Sequence, residues 1–208
     1  MIRLPLGDLK TAFHNPQKYA QSFKPASRGG GPSKYGMFLH AIGFFHKTED
    51  LAAAQDYLDE VLTKNFKNIK DLSAFANMLD MYVREWRKQG NTFVRYRDNV
   101  TIPVPKKFSA LTVSGQAFRI DMIGTEGYGI WMFGRNITDW AEDPKMPLLQ
   151  YSYAKRLDAP IDSVSVGVYD FDDAAYHSRM YSEREILEAR KTLNVVLSAI
   201  MASGLRSH

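Results

Sequence analysis

Phe118-Arg119-Ile120-Asp121-Met122-Ile123 is a strand-forming hexapeptide that carries one aspartate among apolar side chains. A carboxylate in this setting is costly to bury unless it binds a metal ion or a charged partner. Asp121 is therefore the best single candidate for a functional residue. The hexapeptide lies within residues 92–133, where β-branched and aromatic residues are punctuated by proline and glycine, which predicts a meander of about four strands.

Helical patterns lie on both sides of this meander, at residues 35–45, 49–65, 71–88 and 147–157 and from Ser182 onward. A further strand is predicted at residues 163–171, after the helix that follows the meander. This order predicts a mixed α/β fold with a mostly antiparallel meander, extended by a strand after a crossover helix and flanked by helices. We expect one domain over residues 1–208, with a helical insertion at about residues 46–90.

Composition excludes several kinds of chemistry. The 208 residues contain no cysteine, so disulfides, thiolate zinc sites and cysteine-ligated iron-sulfur clusters are excluded. Lysine and arginine exceed aspartate and glutamate by 27 to 23, a mild excess that permits attraction to nucleic acid without demanding it. No stretch approaches the roughly 18 apolar residues of a membrane span. We therefore expect no membrane partner and a cytoplasmic location, in a bacterial or phage-infected cell.

Several motifs occur in an order that resembles a known family. The segment Asn15-Pro16-Gln17-Lys18-Tyr19 ends a predicted N-terminal helix, and Tyr35-Gly36-Met37-Phe38-Leu39-His40-Ala41-Ile42 opens another with a histidine. The hexapeptide with Asp121 follows, and Gln150, with Tyr151 and Tyr153, lies on the helix after the meander. In this order the chain resembles the RecB-like exonuclease branch of the PD-(D/E)XK nuclease superfamily.

The resemblance implies a restriction-endonuclease-like core and a site at which DNA is cut. It implies that Asp121, His40 and Gln150 form the catalytic centre and that Asp121 and His40 would hold the Mg²⁺ or Mn²⁺ of an active enzyme. The implied DNA contacts are Lys24, Arg28, Lys34, Arg119, Arg135 and Tyr153. The residues Arg95, Arg97, Lys106 and Lys107 flank the early strands and suit phosphate contacts that read no sequence.

One part of the family pattern is missing. The strand after Asp121 should carry an acidic residue and, two positions later, a lysine, but in Tyr128-Gly129-Ile130-Trp131-Met132-Phe133-Gly134-Arg135 those places hold Met132 and Gly134. A thioether and a hydrogen atom cannot hold a hard cation that selects oxygen ligands. We therefore expect a degenerate centre that binds magnesium poorly or not at all, with no metal cofactor if the protein is inactive.

Three functions remain open at this point. The first is a DNA-binding or DNA-end-handling pseudoenzyme in recombination, replication or a phage-type DNA process. The second is an active metal-dependent exonuclease, in which either the pair Asp143 and Lys145 or another acidic residue completes a centre with Asp121 and His40. The third is a structural scaffold, beside an active paralogue or in a viral particle, with the segment Trp131-Met132-Phe133 facing a protein partner.

Overall fold

The computed structural model describes residues 2–23, 33–66 and 72–203, which form a six-stranded mixed sheet with helices on both faces. The strands are β1 (Ile2–Pro5), β2 (Thr92–Ile102), β3 (Leu111–Ile123), β4 (Gly127–Gly134), β5 (Val164–Asp170) and β6 (Ala175–Arg179). The α-helices are α1 (Leu9–His14), α2 (Pro16–Ser22), α3 (Lys34–Thr48), α4 (Leu51–Asn65), α5 (Leu72–Gln89), α6 (Lys145–Leu157) and α7 (Glu183–Ala202). The predicted mixed α/β class is confirmed.

Strand β3 is the centre of the sheet. One edge of β3 pairs with antiparallel β2 over residues 113–122. The other edge pairs with parallel β1 at residues 111–114 and with antiparallel β4 at residues 119–123. Helix α6 then crosses to β5, which is parallel to β4, and β6 returns antiparallel. The predicted meander, extended by a strand after a crossover helix, is therefore confirmed.

The meander has three strands instead of the predicted four or so, because β3 continues unbroken through Gly115 for 13 residues. A Cβ at position 115 would lie 2.5 Å from the Cβ of Leu6, in the turn after β1. The glycine therefore allows a side chain to approach the strand closely, and it does not mark a turn.

The two faces of the sheet are covered by different helices. Helices α1, α2, α6 and α7 pack on what we call the first face, and α3, α4 and α5 pack on the second face. Side chains of β4 alternate between them, since Ile130 and Met132 belong to the first-face core and Trp131 and Phe133 to the second. No helix in the described ranges is long and apolar enough to span a bilayer.

The helix starts follow the capping signals of the sequence. The Ser182 side chain accepts a hydrogen bond from the Glu185 backbone N–H, and the Glu185 side chain accepts one from the Ser182 N–H, so the predicted capping box is present. Asn15 caps α2 by accepting from the Lys18 N–H at 3.0 Å. These caps fix where the first-face helices begin.

Candidate functional site

Asp121 lies on β3 and points to the second face, where it is fully buried. Arg119, two residues earlier on the same face, is also fully buried and forms an ion pair with it, with Nη2 at 2.7 Å and Nε at 2.8 Å from Asp121 Oδ2. Both guanidinium nitrogens thus approach the same carboxylate oxygen. A buried aspartate needs a metal ion or a charged partner, and here the partner is an arginine on the same strand.

Aromatic side chains surround the Arg119 guanidinium. Its Nη1 donates to the hydroxyls of Tyr82 at 2.5 Å and Tyr176 at 2.6 Å. Its central carbon lies 4.9 Å from the ring centre of Tyr176 and 5.5 Å from those of Tyr82 and Trp131. Rings at these distances attract a cation through their negative faces. We call this assembly of Arg119, Asp121, Tyr82, Trp131 and Tyr176 the arginine box.

His46 extends the arginine box and was not among the predicted site residues. Its Nε2 lies 2.6 Å from the Tyr82 hydroxyl, and its ring stacks on Phe93 at 4.6 Å. Burial, together with the nearby Arg119 cation, lowers the pKa of His46 to about 2, so the imidazole is neutral. Because Arg119 donates to the Tyr82 oxygen, the Tyr82 hydroxyl is left to donate to His46.

The helical spacing of α3 could have identified His46. It lies one turn after Ile42 and two turns after Leu39, and both of these residues are buried. The face that they define continues through His46, whereas His40 is exposed.

Burial governs the electrostatics of the ion pair. It raises the pKa of the Asp121 carboxyl group above its usual value, and the charge and hydrogen bond of Arg119 oppose this rise. Burial alone would lower the pKa of Arg119, but Tyr82, Tyr176 and Asp121 outweigh it and raise that pKa above its usual range. The guanidinium therefore stays charged and holds the carboxylate beside it.

The residues around Asp121 do not fit a magnesium site. In the strand register Asp121 faces Gly129 and Arg119 faces Trp131, so the β4 side chains on this face are Trp131 and Phe133. Neither supplies the oxygen that Mg²⁺ requires. Among residues 2–23, 33–66 and 72–203, no group of three or more histidine, aspartate or glutamate side chains could hold a metal ion.

The register also corrects the two positions expected to replace the acidic residue and the lysine. Met132 packs into the first-face core, and a Cβ at Gly134 would lie 2.5 Å from Ile137 Cδ1, also on that side. Both positions therefore face away from Asp121. The second-face positions next to Asp121 hold Trp131 and Phe133, so the acidic residue and the lysine are absent there too.

His40 is exposed on α3, and its ring does not take part in the arginine box. Arg97 Nη1 donates to His40 Nε2 at 2.9 Å. Burial, followed by the Arg97 charge, lowers the pKa of His40. The neighbour of His40 is therefore an arginine. The expected metal centre would need further metal ligands here, and a cation cannot serve as one.

Gln150 is fully buried on α6, which packs on the first face. Its side-chain nitrogen donates to the carbonyls of Ile161 and Tyr181, each at 3.0 Å, and its oxygen accepts from the Tyr181 N–H at 2.7 Å. The amide is therefore occupied in joining α6 to the segments before β5 and α7. The sheet separates it from Asp121, so the three predicted catalytic side chains are not brought together.

Two of the predicted DNA contacts are internal. Arg119 and Tyr153 are each fully buried, and the Tyr153 hydroxyl donates to Asp98 Oδ2 at 2.8 Å. Asp98 also binds Arg95 and Arg156. These contacts give Arg119 and Tyr153 roles inside the core, in place of the expected roles at a DNA surface.

The other predicted DNA contacts lie near the start of α3. Lys34 is the first residue of α3, and Arg135 is an exposed residue after β4 that forms an ion pair with Asp172 at 2.7 Å. Arg135 is close enough to Tyr35 to oppose the burial that raises the pKa of this tyrosine to about 12. Lys24 and Arg28 lie outside the described residues. We call the surface formed by Lys34, His40, Arg97 and Arg135 the α3 edge.

Arg97 has an unusual backbone that points it toward α3. Its φ angle is +51°, in the left-handed region. Tyr96 before it packs on the second face, whereas Asp98 after it contacts α6 on the first. The strand therefore rotates at Arg97, so that Tyr96 and Asp98 face opposite sides of the sheet. Both Tyr96 and Arg97 contact α3. Arg97 has no acidic partner among the described residues.

The alternative acidic-lysine pair lies elsewhere. Asp143 Oδ2 accepts from Lys145 Nζ at 2.7 Å, and Asp143 Oδ1 accepts from the Lys145 backbone N–H. Both residues line a cleft with Met132 and Met146, which pack in the first-face core. The pair therefore does not join Asp121 and His40. The segment Trp131-Met132-Phe133 is no protein-binding surface either, since Trp131 and Phe133 are buried.

Comparisons with known proteins add little about function. No family model matches the chain, and no curated protein matches it. Among solved structures, a provisionally named exonuclease from Eubacterium rectale matches with 9% identity and a TM-score of 0.49, over 97% of this chain and 82% of that one. SSO0001 matches with 13% identity and a TM-score of 0.26, over 89% and 84%. Both TM-scores lie below 0.5, and no activity follows from them.

Proposed function

We propose that this chain binds DNA at the α3 edge without hydrolysing it and handles DNA or DNA ends in recombination, replication or a phage-type process. The observation that carries the proposal is the Arg119–Asp121 ion pair, which fills the position where the resemblance implies a metal centre. The choice of DNA as the ligand rests on that resemblance and on the positively charged side chains of the α3 edge.

The absence of hydrolysis is argued from what the reaction requires. Metal-dependent cleavage of a phosphodiester needs oxygen ligands that hold a cation against the charge developing on phosphate. Here Asp121 is neutralised by Arg119 and has aromatic neighbours on β4. Freeing the carboxylate would leave a buried guanidinium unpaired, which is strongly unfavourable.

Binding at the α3 edge is argued from charge. Arg97 lacks an acidic partner among the described residues and donates a hydrogen bond to His40. In the sequence, Lys24 and Arg28 come shortly before α3. Cations of this kind contact phosphates without reading bases, so binding should weaken steeply with salt.

The test is a retention and cleavage assay with labelled single- and double-stranded DNA, with and without manganese. Wild-type protein should retain DNA in a salt-sensitive manner and leave it intact. Arg97→Ala should weaken retention and reduce the slope of log affinity against log salt by about 0.9. Lys191→Ala, which removes one positive charge from α7, should leave the slope unchanged.

Two results would contradict the proposal. Manganese-dependent cleavage by wild-type protein, abolished in an Asp121→Asn variant that is still folded, would show an active centre. Failure of the folded wild-type protein to retain either form of DNA at low salt would remove DNA as the ligand.

A further inference from the structure

A second surface lies between α6 and α7, on the first face of the sheet. Tyr151, Ile161, Ile186, Leu187 and Arg190 line this surface, with Glu183 and Arg184 at its end. We call it the α6–α7 cleft. The α3 edge is formed by a helix that packs on the opposite face. The proposed binding of DNA at the α3 edge therefore does not account for the cleft.

Two cations lie near the ring of Tyr151, which lines the α6–α7 cleft. The Arg190 guanidinium carbon lies 4.3 Å from the ring centre of Tyr151, and Lys155 Nζ lies 5.2 Å from the same centre. Neither cation has an acidic partner within the described ranges. An anionic group that reaches either cation would be attracted to it.

Apolar side chains lie next to these cations. Leu187 is 47% exposed although it follows the buried Ile186, and Tyr151 is 8% exposed. An exposed leucine beside buried apolar residues offers surface that a ligand can cover. The cleft thus combines unpaired positive charge with an apolar patch.

We propose that the α6–α7 cleft binds an acidic segment of a partner protein, with carboxylates at Arg190 and Lys155 and an apolar side chain against Leu187. A nucleic acid backbone fits less well, since it brings no aliphatic group to cover Leu187. The Tyr151 ring is almost fully buried, so bases cannot stack on it.

The test is a selection of random short peptides on the wild-type protein, followed by binding measurements on the recovered peptides. The recovered peptides should be enriched in sequences that place aspartate or glutamate beside leucine, isoleucine or phenylalanine. Arg190→Glu should weaken their binding by about tenfold or more, because it replaces attraction by repulsion. Leu187→Ser should also weaken it, since the apolar contact is lost.

Lys64→Ala is the matched control, because it removes one positive charge from α4 on the opposite face of the sheet. It should leave peptide binding unchanged. All variants are compared by thermal unfolding first, and Leu187→Ser changes an exposed side chain, so it keeps the test valid if Arg190→Glu fails to fold.

Three outcomes would overturn the inference. They are recovery of no peptides, recovery of peptides without acidic residues, and binding that is indifferent to both cleft variants. Loss of DNA retention in Arg190→Glu, with no peptide binding by wild type, would assign the cleft to nucleic acid instead. Because DNA binding at the α3 edge is tested with Arg97→Ala, either proposal can fail while the other stands.

Discussion

The ring of Tyr96 on β2 lies directly against Gly43 on α3, since a Cβ added at Gly43 would lie 2.6 Å from two atoms of that ring. The Tyr96 hydroxyl also donates to the carbonyl of Leu39, one turn earlier on α3. Helix α3 is therefore held on the second face by a ring that fills a glycine gap and by a hydrogen bond to its backbone.

Gly43→Ala should destabilise the fold by about 1–3 kcal/mol, because the added methyl group overpacks the Tyr96 ring. The higher helix propensity of alanine, about 1 kcal/mol, would offset only part of this. Urea unfolding measures the change. In a Tyr96→Val background the same substitution should be neutral or stabilising, and an equal penalty in both backgrounds would contradict the contact.

Asp121→Asn should lower the free energy of unfolding by about 3–5 kcal/mol, because it leaves the Arg119 guanidinium buried and unpaired. Replacing both residues with apolar ones, as in Arg119→Met with Asp121→Leu, should recover much of the loss. Lys191→Ala, at an exposed ion pair, should cost less than about 1 kcal/mol. Denaturant unfolding of these variants is the measurement, and an Asp121→Asn protein as stable as wild type would rule out the pairing.

Arg97→Gly should stabilise the fold by about 1 kcal/mol, because glycine adopts a left-handed backbone without the strain that arginine carries there. The same variant should bind DNA more weakly, since the α3 edge loses a cation. Thermal unfolding and DNA retention together test this opposite behaviour. Reduced stability together with unchanged retention would argue against both the strain and the phosphate contact.

Acid should weaken the fold partly through Asp98. Burial alone would raise the pKa of Asp98, but Arg95, Tyr153 and Arg156 together bring it below its ordinary value. A carboxyl group with a lower pKa in the folded state stabilises the fold above its unfolded-state pKa of about 3.9. This contribution is lost as the pH falls through the folded-state pKa.

Asp98→Asn should therefore reduce stability at neutral pH by about 2 kcal/mol, in line with the loss of charged hydrogen bonds. The difference from wild type should shrink as the pH falls below about 4. Unfolding free energies measured between neutral and acid pH supply the check. A difference that stays constant with pH would mean that the Asp98 charge plays no part.

Much of the fold could be predicted because its signals are local. The β-branched segments and the capping box at Ser182 need only their own neighbours to be interpreted. Strand β1 could not be found in this way, because its four residues are a strand only through pairing with β3 far along the chain. Gly115 suggested a turn for the same reason, since Leu6, which explains it, is distant in the sequence.

The candidate site was harder to predict than the fold. The sequence correctly indicated that a buried Asp121 needs a partner. Either a metal ion or Arg119 could fill that role, and the sequence alone does not distinguish between them. Arg119 was expected to contact DNA because the family resemblance implied it, and only the packing of α5 and β6 around it shows otherwise. Which β4 side chains lie on the same face as Asp121 also depends on the strand register, and a single sequence does not reveal that register.

The left-handed backbone at Arg97 has a consequence for how separate copies of the chain meet. Among the described residues, β2 pairs only with β3, so its outer edge presents free backbone N–H and C=O groups. A straight edge of this length would template a strand from another molecule. The bulge between Phe93 and Arg95 and the reversal at Arg97 bend that edge. The residue that supplies a surface cation thereby also makes this edge a poorer template for a strand from another molecule.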